Sequence, residues 1–164
     1  MRRPEKYELI PAADAPVEVL ARFYQVAFPS RAQFLINHWR WHYSGIDPSN
    51  LAEWPLLAID TKGEILGHVS TIPTNVTCRG RVFRGSWFVD FFVMPKARGL
   101  GIGGALIQRV MGAAALMMAI GASSYSLPIF RRYNWVEIEG TVKYSNILRL
   151  SEFPRIRKLR FPSL

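Results

Sequence analysis

Hydrophobic residues recur at helical spacing in the first quarter of the chain, after a short alternating stretch. That stretch, at residues 7–10, predicts a first strand. Apolar side chains then recur every three or four residues, which predicts two amphipathic helices. We expect Asp14 to be the N-cap of the first helix and Pro29 to end it. The second helix should cover residues 31–43 and run into a loop at 44–50.

Alternating segments in the middle of the chain predict an antiparallel meander. Residues 54–60 form one predicted strand and residues 65–77 a longer one, joined by a hairpin turn. Pro73 falls inside the longer strand, where its missing N–H predicts a break or a bulge. A turn at residues 79–81 then leads towards the most apolar strand, at residues 87–93.

A glycine-rich turn and a long apolar helix follow Pro95, which closes that strand. The glycines lie within Arg98–Gly104, and an unbroken helical run begins at Ala105. The most apolar part of this run, residues 110–122, is shorter than the about 20 residues that a membrane-spanning helix needs. We therefore expect a buried helix and no membrane partner. Its apolar surface indicates burial on more than one side, which would fit a homodimer.

Short elements complete the pattern. Residues 123–127 predict a fifth strand, residues 128–133 a short helix begun by Pro128, and residues 134–138 and 142–148 two late strands. Strands and helices mixed in this way predict an α/β (α+β) fold.

Length and composition change this picture little. The chain has 164 residues, of which 49% are hydrophobic and 20% charged, enough for one domain with a substantial core. We assign residues 1–164 to a single domain, with the core at about 7–148 and a basic tail at 149–164. The single cysteine, Cys78, excludes an internal disulfide, and no secretory signal opens the chain, so we expect a cytoplasmic protein.

The net charge of +9 has two sources, the tail and the surroundings of the glycine turn. The second source fits a polyanionic small molecule, and we expect no nucleic-acid partner. Its basic residues are Lys96, Arg98, Arg109, Arg131 and Arg132.

Histidines offer little for a metal site. His38 and His42 are four residues apart and could share a helix face, but the intervening acid and the third ligand of zinc motifs are missing. We expect no metal. Both histidines, and His68 on the long strand, remain candidates for a base or for structural roles.

A strand, a glycine turn and a helix start together form an anion-binding cradle, because free backbone N–H groups and the helix dipole converge there. A P-loop is excluded, since no Gly-Lys-Ser/Thr triplet follows the glycines. A dinucleotide-binding turn fits Gly99, Gly101 and Gly104. It lacks the acidic residue for the ribose, because no Asp or Glu occurs between Asp90 and Glu137.

The pattern Val93-x-Pro95-x-x-Arg98-Gly99-x-Gly101-x-Gly103-Gly104-x-x-Ile107 resembles the pyrophosphate-binding motif of the GNAT superfamily of acyl-CoA-dependent N-acetyltransferases. With the preceding Asp90-Phe91-Phe92, it is most similar to the polyamine acetyltransferase branch. The resemblance implies the GNAT fold, with a mixed, mostly antiparallel sheet of about six or seven strands flanked by helices. It also implies acetyl-CoA, or another acyl-CoA, as co-substrate.

The resemblance further implies which residues bind the co-substrate. A backbone N–H at Phe92, Val93 or Met94 would polarise the thioester carbonyl, and the loop amides would hold the pyrophosphate. The implied cofactor-binding residues are Phe92, Val93, Met94, Arg98, Gly99, Leu100, Gly101, Ile102, Gly103, Gly104, Ala105 and Phe130.

Catalytic groups are harder to place. Phe130 occupies the position of the family's tyrosine proton donor, and Tyr125 or Tyr133 are the alternatives, although Tyr133 falls where a buried ring is expected. Val89 replaces the glutamate of the polyamine pattern, which leaves Asp90. Its carboxylate, among aromatic neighbours, would have a raised pKa and could act as a base or anchor a cationic amine. The catalytic candidates are therefore Asp90 and Tyr125.

Two functions remain open. One is transfer of an acetyl (acyl) group from acetyl-CoA to a primary amine by direct attack, and the other is a non-catalytic acyl-CoA-binding or regulatory module. The acceptor could be a small-molecule amine or a protein amine. The sequence does not distinguish a polyamine from an antibiotic amine or an amino acid.

Overall fold

The computed structural model describes residues 7–138, in which five strands form one sheet in the order β1-β2-β3-β4-β5. The strands are β1 Tyr7–Pro11, β2 Leu56–Asp60, β3 Ile65–Cys78, β4 Arg81–Val93 and β5 Met117–Met118. The helices are α1 Val17–Ala27, α2 Ala32–Ser44, α3 Ile102–Met111 and α4 Leu127–Arg132, and short 3-10 turns lie at Ala12–Asp14, Pro48–Ala52 and Pro95–Ala97. Strands β1 to β4 are antiparallel, and β5 runs parallel to β4.

The sheet has a hydrophobic core on each face. Leu56 and Ala58 of β2 pack into the core beneath α3 and α4. Leu57, between them in sequence, packs into the core beneath α1 and α2. Since successive side chains of a strand point to opposite faces, a strand buried on both faces is apolar throughout. The predicted mixed α/β fold is confirmed.

Within residues 7–138 the sheet has five strands, fewer than the six or seven predicted for the whole chain. Residues 134–138 form no strand, and residues 123–127 turn into α4 instead of pairing with the sheet. The strand predicted at 142–148 lies outside the described residues. The short helix predicted at 128–133 is confirmed as α4.

The first helix begins later than predicted. Asp14 belongs to a 3-10 turn, and Pro16 is the N-cap of α1, with no side-chain hydrogen bond. The reason is that a residue before proline is restricted to extended conformations, and Ala15 has φ −87° and ψ 144°. The helix therefore starts only at Val17.

The prediction of a long apolar helix through residues 110–122 is wrong. Helix α3 ends at Met111, and the chain turns through Gly112 to form β5. The backbone of this segment bonds to the free edge of β4 instead of continuing the helix, since Ser86 N donates to Leu116 O at 2.9 Å. Ile120 is 71% exposed, so the argument for burial on more than one side is lost. The homodimer stays a prediction without that support.

Pro73 does not break its strand. It lies opposite Ser86 within a continuous β3. The Ser86 amide faces β5, so this pair exchanges no hydrogen bonds, and the Pro73 nitrogen points away from β4. On that other side β2 pairs with β3 only as far as Val69. The missing N–H therefore costs no ladder bond, and the irregularity of β3 lies instead between His68 and Ser70.

Gly67 permits α3 to lie directly on β3. A Cβ on Gly67 would lie 2.8 Å from Ile102 Cγ2 and 3.1 Å from Leu106 Cδ1. We expect Gly67→Ala to lower the free energy of unfolding by about 1–3 kcal/mol through overpacking, measured by urea denaturation. Gly112→Ala is the control, because its nearest contact is 3.7 Å away and its φ of −82° suits alanine. Equal stability of the two variants would contradict the close approach.

Candidate acyl-CoA and acceptor site

A cleft of about 540 Å³ opens where β4 and β5 separate. The two strands pair only at Ser86–Met117 and Trp87–Met118. Beyond these pairs, residues 87–91 form one wall and residues 119–123 the other. The remaining lining residues are Phe28, Arg31, His42, Ser126 and Phe130.

The glycine loop adjoins this cleft. A Cβ on Gly103, in the first turn of α3, would lie 3.4 Å from the Phe91 ring, which lines the cleft. Gly99 and Gly101 have φ of +85° and +83°, a left-handed conformation that favours glycine, and open space surrounds the Cβ position of both. A ligand can thus approach the loop backbone closely.

Fewer loop amides are available than the sequence predicted. The amides of Arg98 and Leu100 donate within the turn, to Pro95 O at 3.3 Å and Ala97 O at 3.4 Å, and that of Ala105 donates to Gly101 O at 3.1 Å. The first N–H groups of a helix have no intrahelical acceptor. The amides that remain for an anion are therefore those of Gly99, Gly101, Ile102, Gly103 and Gly104.

The basic residues near the loop divide into two groups. Lys96, Arg109 and Arg131 form ion pairs with Glu64, Glu53 and Glu137 respectively. Arg98 and Arg132 form no ion pair with a carboxylate among residues 7–138. The Arg98 guanidinium lies 4.9 Å from the centre of the Tyr125 ring, and its Nε donates to Val93 O at 3.4 Å. Arg98 and Arg132 thus supply the uncompensated positive charge.

The backbone at the end of β4 offers one amide to the open edge. Met94 N donates to Leu66 O at 2.8 Å, so this amide is engaged with β3. Amides alternate in direction along a strand, so Phe92 also faces β3, opposite its partner His68. Of the three predicted positions, only Val93 directs its N–H away from β3. The Phe92 ring packs instead against Phe23 and Phe28.

A bulge in β4 aims Asp90 at the helices. Ser70 pairs with Val89 and His68 with Phe92, so β4 contains one residue more than β3 in this interval. Asp90 has φ +51°, a conformation that aspartate tolerates better than most residues. Its side chain is only 8% exposed.

The Asp90 carboxylate accepts three hydrogen bonds from α2 and its N-cap. Arg31 Nη1 donates to Oδ1 at 2.6 Å, Arg31 Nη2 to Oδ2 at 3.3 Å and Tyr43 Oη to Oδ2 at 2.8 Å. Burial raises the pKa of Asp90, but the neighbouring His42, the Tyr43 hydroxyl and the Arg31 charge outweigh it and lower the pKa to about 2. The predicted raised pKa is wrong, since the partners on α2 were not foreseen.

His68 is buried behind the bulge. Its side chain is 0% exposed, and Nδ1 lies 2.7 Å from Asp90 O. Because a carbonyl only accepts, Nδ1 carries the proton and donates. Burial lowers the pKa of His68 to about 4, so the ring is neutral at pH 7. His68 holds the bulge and does not face the cleft.

The aromatic residues near α4 occupy distinct positions. Phe130 is buried, with its ring 5.2 Å from Phe88 and 4.8 Å from Trp135. Tyr133 is partly buried, and its hydroxyl donates to Gly104 O at 3.5 Å. Tyr125 is 73% exposed beneath Arg98, and of these rings only Tyr125 presents a free hydroxyl to solvent.

Sequence reasoning missed Arg31 and Tyr43. Arg31 sits at the N-cap of α2 and Tyr43 in its last turn, and the two are brought together only because Asp90 of β4 lies between them. The one available signal was the isolated acid in an apolar strand, which requires a partner.

The chain matches the model of the Acetyltransferase (GNAT) family over residues 14–127. It therefore belongs to this family of acetyltransferases. No curated protein matches the chain.

Solved structures share the fold at low sequence identity. An aminoglycoside antibiotic 6'-N-acetyltransferase from Acinetobacter baumannii is 14% identical, with a TM-score of 0.65 over 88% of this chain and 100% of its own. A predicted acetyltransferase with acetyl-CoA from Clostridium acetobutylicum is 14% identical, with a TM-score of 0.61 over 85% and 95%. Glucosamine-6-phosphate N-acetyltransferase from Arabidopsis thaliana is 10% identical, with a TM-score of 0.56 over 88% and 100%.

Residues 7–138 contain neither a recognisable metal-binding cluster nor a membrane-spanning helix. No group of three or more His, Cys, Asp or Glu side chains there is arranged to hold a metal ion. No helix in this part of the chain is long and apolar enough to cross a bilayer.

Proposed function

We propose that the protein transfers an acetyl (acyl) group from acetyl-CoA to a primary amine by direct attack. The observation that carries the proposal is the separation of β5 from β4, which opens a cleft directly beside the glycine loop. The solved acetyltransferase from Clostridium acetobutylicum contains acetyl-CoA, which supports the same co-substrate here.

The residues of the loop fit a pyrophosphate. Its free amides, those of Gly99 and residues 101–104, lie at the positive end of α3, where anions bind favourably. Arg98, which belongs to the loop, adds charge at the same place. When bound, acetyl-CoA supplies an activated acyl group as a thioester. The Val93 amide is the donor that would stabilise the developing oxyanion.

Proton transfer involves few protein groups. Asp90, with a pKa of about 2, is a poor base, so we assign it a positioning role. The amine then attacks in its neutral form. A thiol with a pKa near that of cysteine, about 8.5, can leave as thiolate. The Tyr125 hydroxyl is the candidate donor to that thiolate, because Phe130 has no proton to give. The attacking nitrogen releases one proton to solvent as the amide forms, and the Tyr125 phenolate regains one from solvent.

Free-thiol release across a panel of primary amines tests this function. We expect turnover with acetyl-CoA, and Tyr125→Phe should lower kcat about tenfold while acetyl-CoA affinity stays unchanged, since a general acid assists only the chemical step. Tyr133→Phe is the control, because its hydroxyl already donates to Gly104 O. An unchanged kcat in Tyr125→Phe would remove Tyr125 from the mechanism.

A non-catalytic acyl-CoA-binding module is the second candidate. The buried Phe130 at the expected tyrosine position favours it. Acetyl-CoA binding by calorimetry without thiol release on any amine would establish this alternative and overturn transfer.

A further inference from the structure

The charged side chain that the cleft exposes to a ligand is a cation and not an anion. Among the described residues that line it, only Arg31 and Asp90 have side chains that are charged throughout the neutral range. The Arg31 side chain is 43% exposed, whereas that of Asp90 is 8% exposed. A ligand entering the cleft therefore meets a guanidinium first.

Asp90 has little capacity left for a cationic substrate. Both of its oxygens accept from Arg31, and Oδ2 accepts from Tyr43 as well. An ammonium group would compete with an arginine held by two parallel hydrogen bonds, an arrangement stronger than a single charged contact. This geometry argues against a polyamine, and so does Val89 at the position of the polyamine-type glutamate.

Arg31 retains donors for a second anion. A guanidinium has five N–H groups. Asp90 accepts two of them, and His42 Nε2 lies 3.2 Å from Nη2 and accepts a third. The remaining N–H groups are fixed in direction because the carboxylate holds the guanidinium plane. An arginine immobilised in this way is preorganised to bind a carboxylate.

The wall of the cleft that β4 contributes is largely aromatic. Phe28 lies beside Arg31, and Trp87, Phe88 and Phe91 form the wall contributed by β4. Such a surface accommodates an apolar body, and Arg31 supplies a charged contact at one edge. This combination fits an acceptor with an anionic group and an apolar side chain.

We propose, on the basis of the proposed function, that the acceptor is a primary amine that also carries a carboxylate, which Arg31 binds. Amino acids belong to this class, and polyamines do not. Asp90 is a positioning residue in this proposal, since it acts through Arg31.

Matched pairs of acceptors test the proposal in free-thiol release assays. Each pair consists of an amino acid and its decarboxylated amine, such as phenylalanine with phenethylamine and lysine with cadaverine. We expect the wild type to show at least a tenfold higher kcat/KM for the carboxylated member of each pair. No preference, or a preference for the plain amines, overturns the proposal.

Substitutions of Arg31 and Asp90 then distinguish the roles of these two side chains. Arg31→Gln should abolish the preference for the carboxylated member of each pair. In the lysine pair it should favour cadaverine, because the Asp90 carboxylate is left without its cation. Asp90→Asn should keep a preference for the carboxylated member, because Arg31 retains its charge. Arg31→Lys should restore part of the preference, since lysine keeps the positive charge but lacks the planar set of N–H groups of a guanidinium.

Arg40→Gln is the matched control. It removes the same charge from the same helix, but Arg40 lies over the Trp39 ring at 4.6 Å and does not line the cleft. We expect it to keep the wild-type preference. Loss of the preference in Arg40→Gln, or its persistence in a folded Arg31→Gln, would overturn the assignment to Arg31.

The proposal and the underlying function fail in different ways. Acetyl-CoA binding without turnover on any acceptor refutes amine acylation, and the acceptor proposal falls with it. Turnover that favours plain amines refutes the carboxylate proposal alone. Circular dichroism and thermal melting of each variant identify a folding failure, and Arg31→Lys then decides the role of the charge.

Discussion

Gly101→Glu should weaken acetyl-CoA binding by at least about 100-fold. The new carboxylate would stand among the free amides of Gly99, Ile102, Gly103 and Gly104, at the place where we put the pyrophosphate. It would repel the phosphates and compete for the same N–H groups, each of which contributes more than 1 kcal/mol when it bonds to a charged acceptor. Isothermal titration calorimetry with acetyl-CoA measures the loss directly.

Gly80→Glu is the control for backbone strain. Gly80 lies at the tip of the β3–β4 hairpin with φ +74°, close to the +83° of Gly101, and open space surrounds the Cβ position of both. Each variant therefore incurs a similar cost, about 1–2 kcal/mol, for a side chain in the left-handed region. Only Gly101→Glu should lose affinity. Wild-type affinity in both variants would refute the loop as the acyl-CoA site.

The loop was predictable because its information is local. Residues 93–107 contain the strand end, the proline, the arginine and the glycines in one register, and glycine permits the positive φ that Gly99 and Gly101 adopt. The fold class was predictable for a similar reason, since the period of the hydrophobic pattern separates strands from helices.

The end of α3 was not predictable from local pattern. Residues 113–118 favour a helix by composition, yet the free edge of β4 offers hydrogen bonds to the backbone, and β5 forms there instead. Intrinsic helix propensity differs by less than about 1 kcal/mol per residue, so pairing with a sheet edge overrides it. The cleft exists because the chain pairs with β4 at Met117 and Met118 instead of extending α3.

The Arg31–Asp90 pair required the tertiary structure. Fifty-nine positions separate its members, and the bulge that turns Asp90 towards α2 depends on the register between β3 and β4. From the sequence, Asp90 had only aromatic neighbours, which predicts a raised pKa. His42, Tyr43 and Arg31, which the sequence did not place beside Asp90, together reverse that direction.

His68 should make the folded state sensitive to acid above pH 4. The ordinary histidine pKa of 6.5 applies to the unfolded chain, whereas burial lowers the folded value to about 4. Between these values the unfolded state binds a proton that the folded state excludes. The free energy of unfolding therefore falls as pH drops through this window, by up to about 3 kcal/mol in total.

The groups around His68 do not reverse this sign. Tyr24 of α1 and Tyr43 of α2 face its ring, at centroid distances of 5.6 Å and 6.0 Å, and burial raises the pKa of both phenols, so neither ionises in this range. Asp90 of β4 stays charged until pH falls towards 2. Its own contribution is lost below pH 4, as the unfolded carboxyl takes up its proton first.

Urea denaturation at intervals from pH 7 to pH 4 measures the slope. In His68→Gln the amide can still donate to Asp90 O but does not titrate, so we expect the decline between pH 6.5 and pH 4 to become nearly flat. His38→Gln is the control, because it removes an exposed histidine of α2, and its slope should match the wild type. A wild-type slope in His68→Gln would mean that the buried imidazole accepts a proton without loss of stability. The bulge could then not depend on a neutral His68 to donate to Asp90 O.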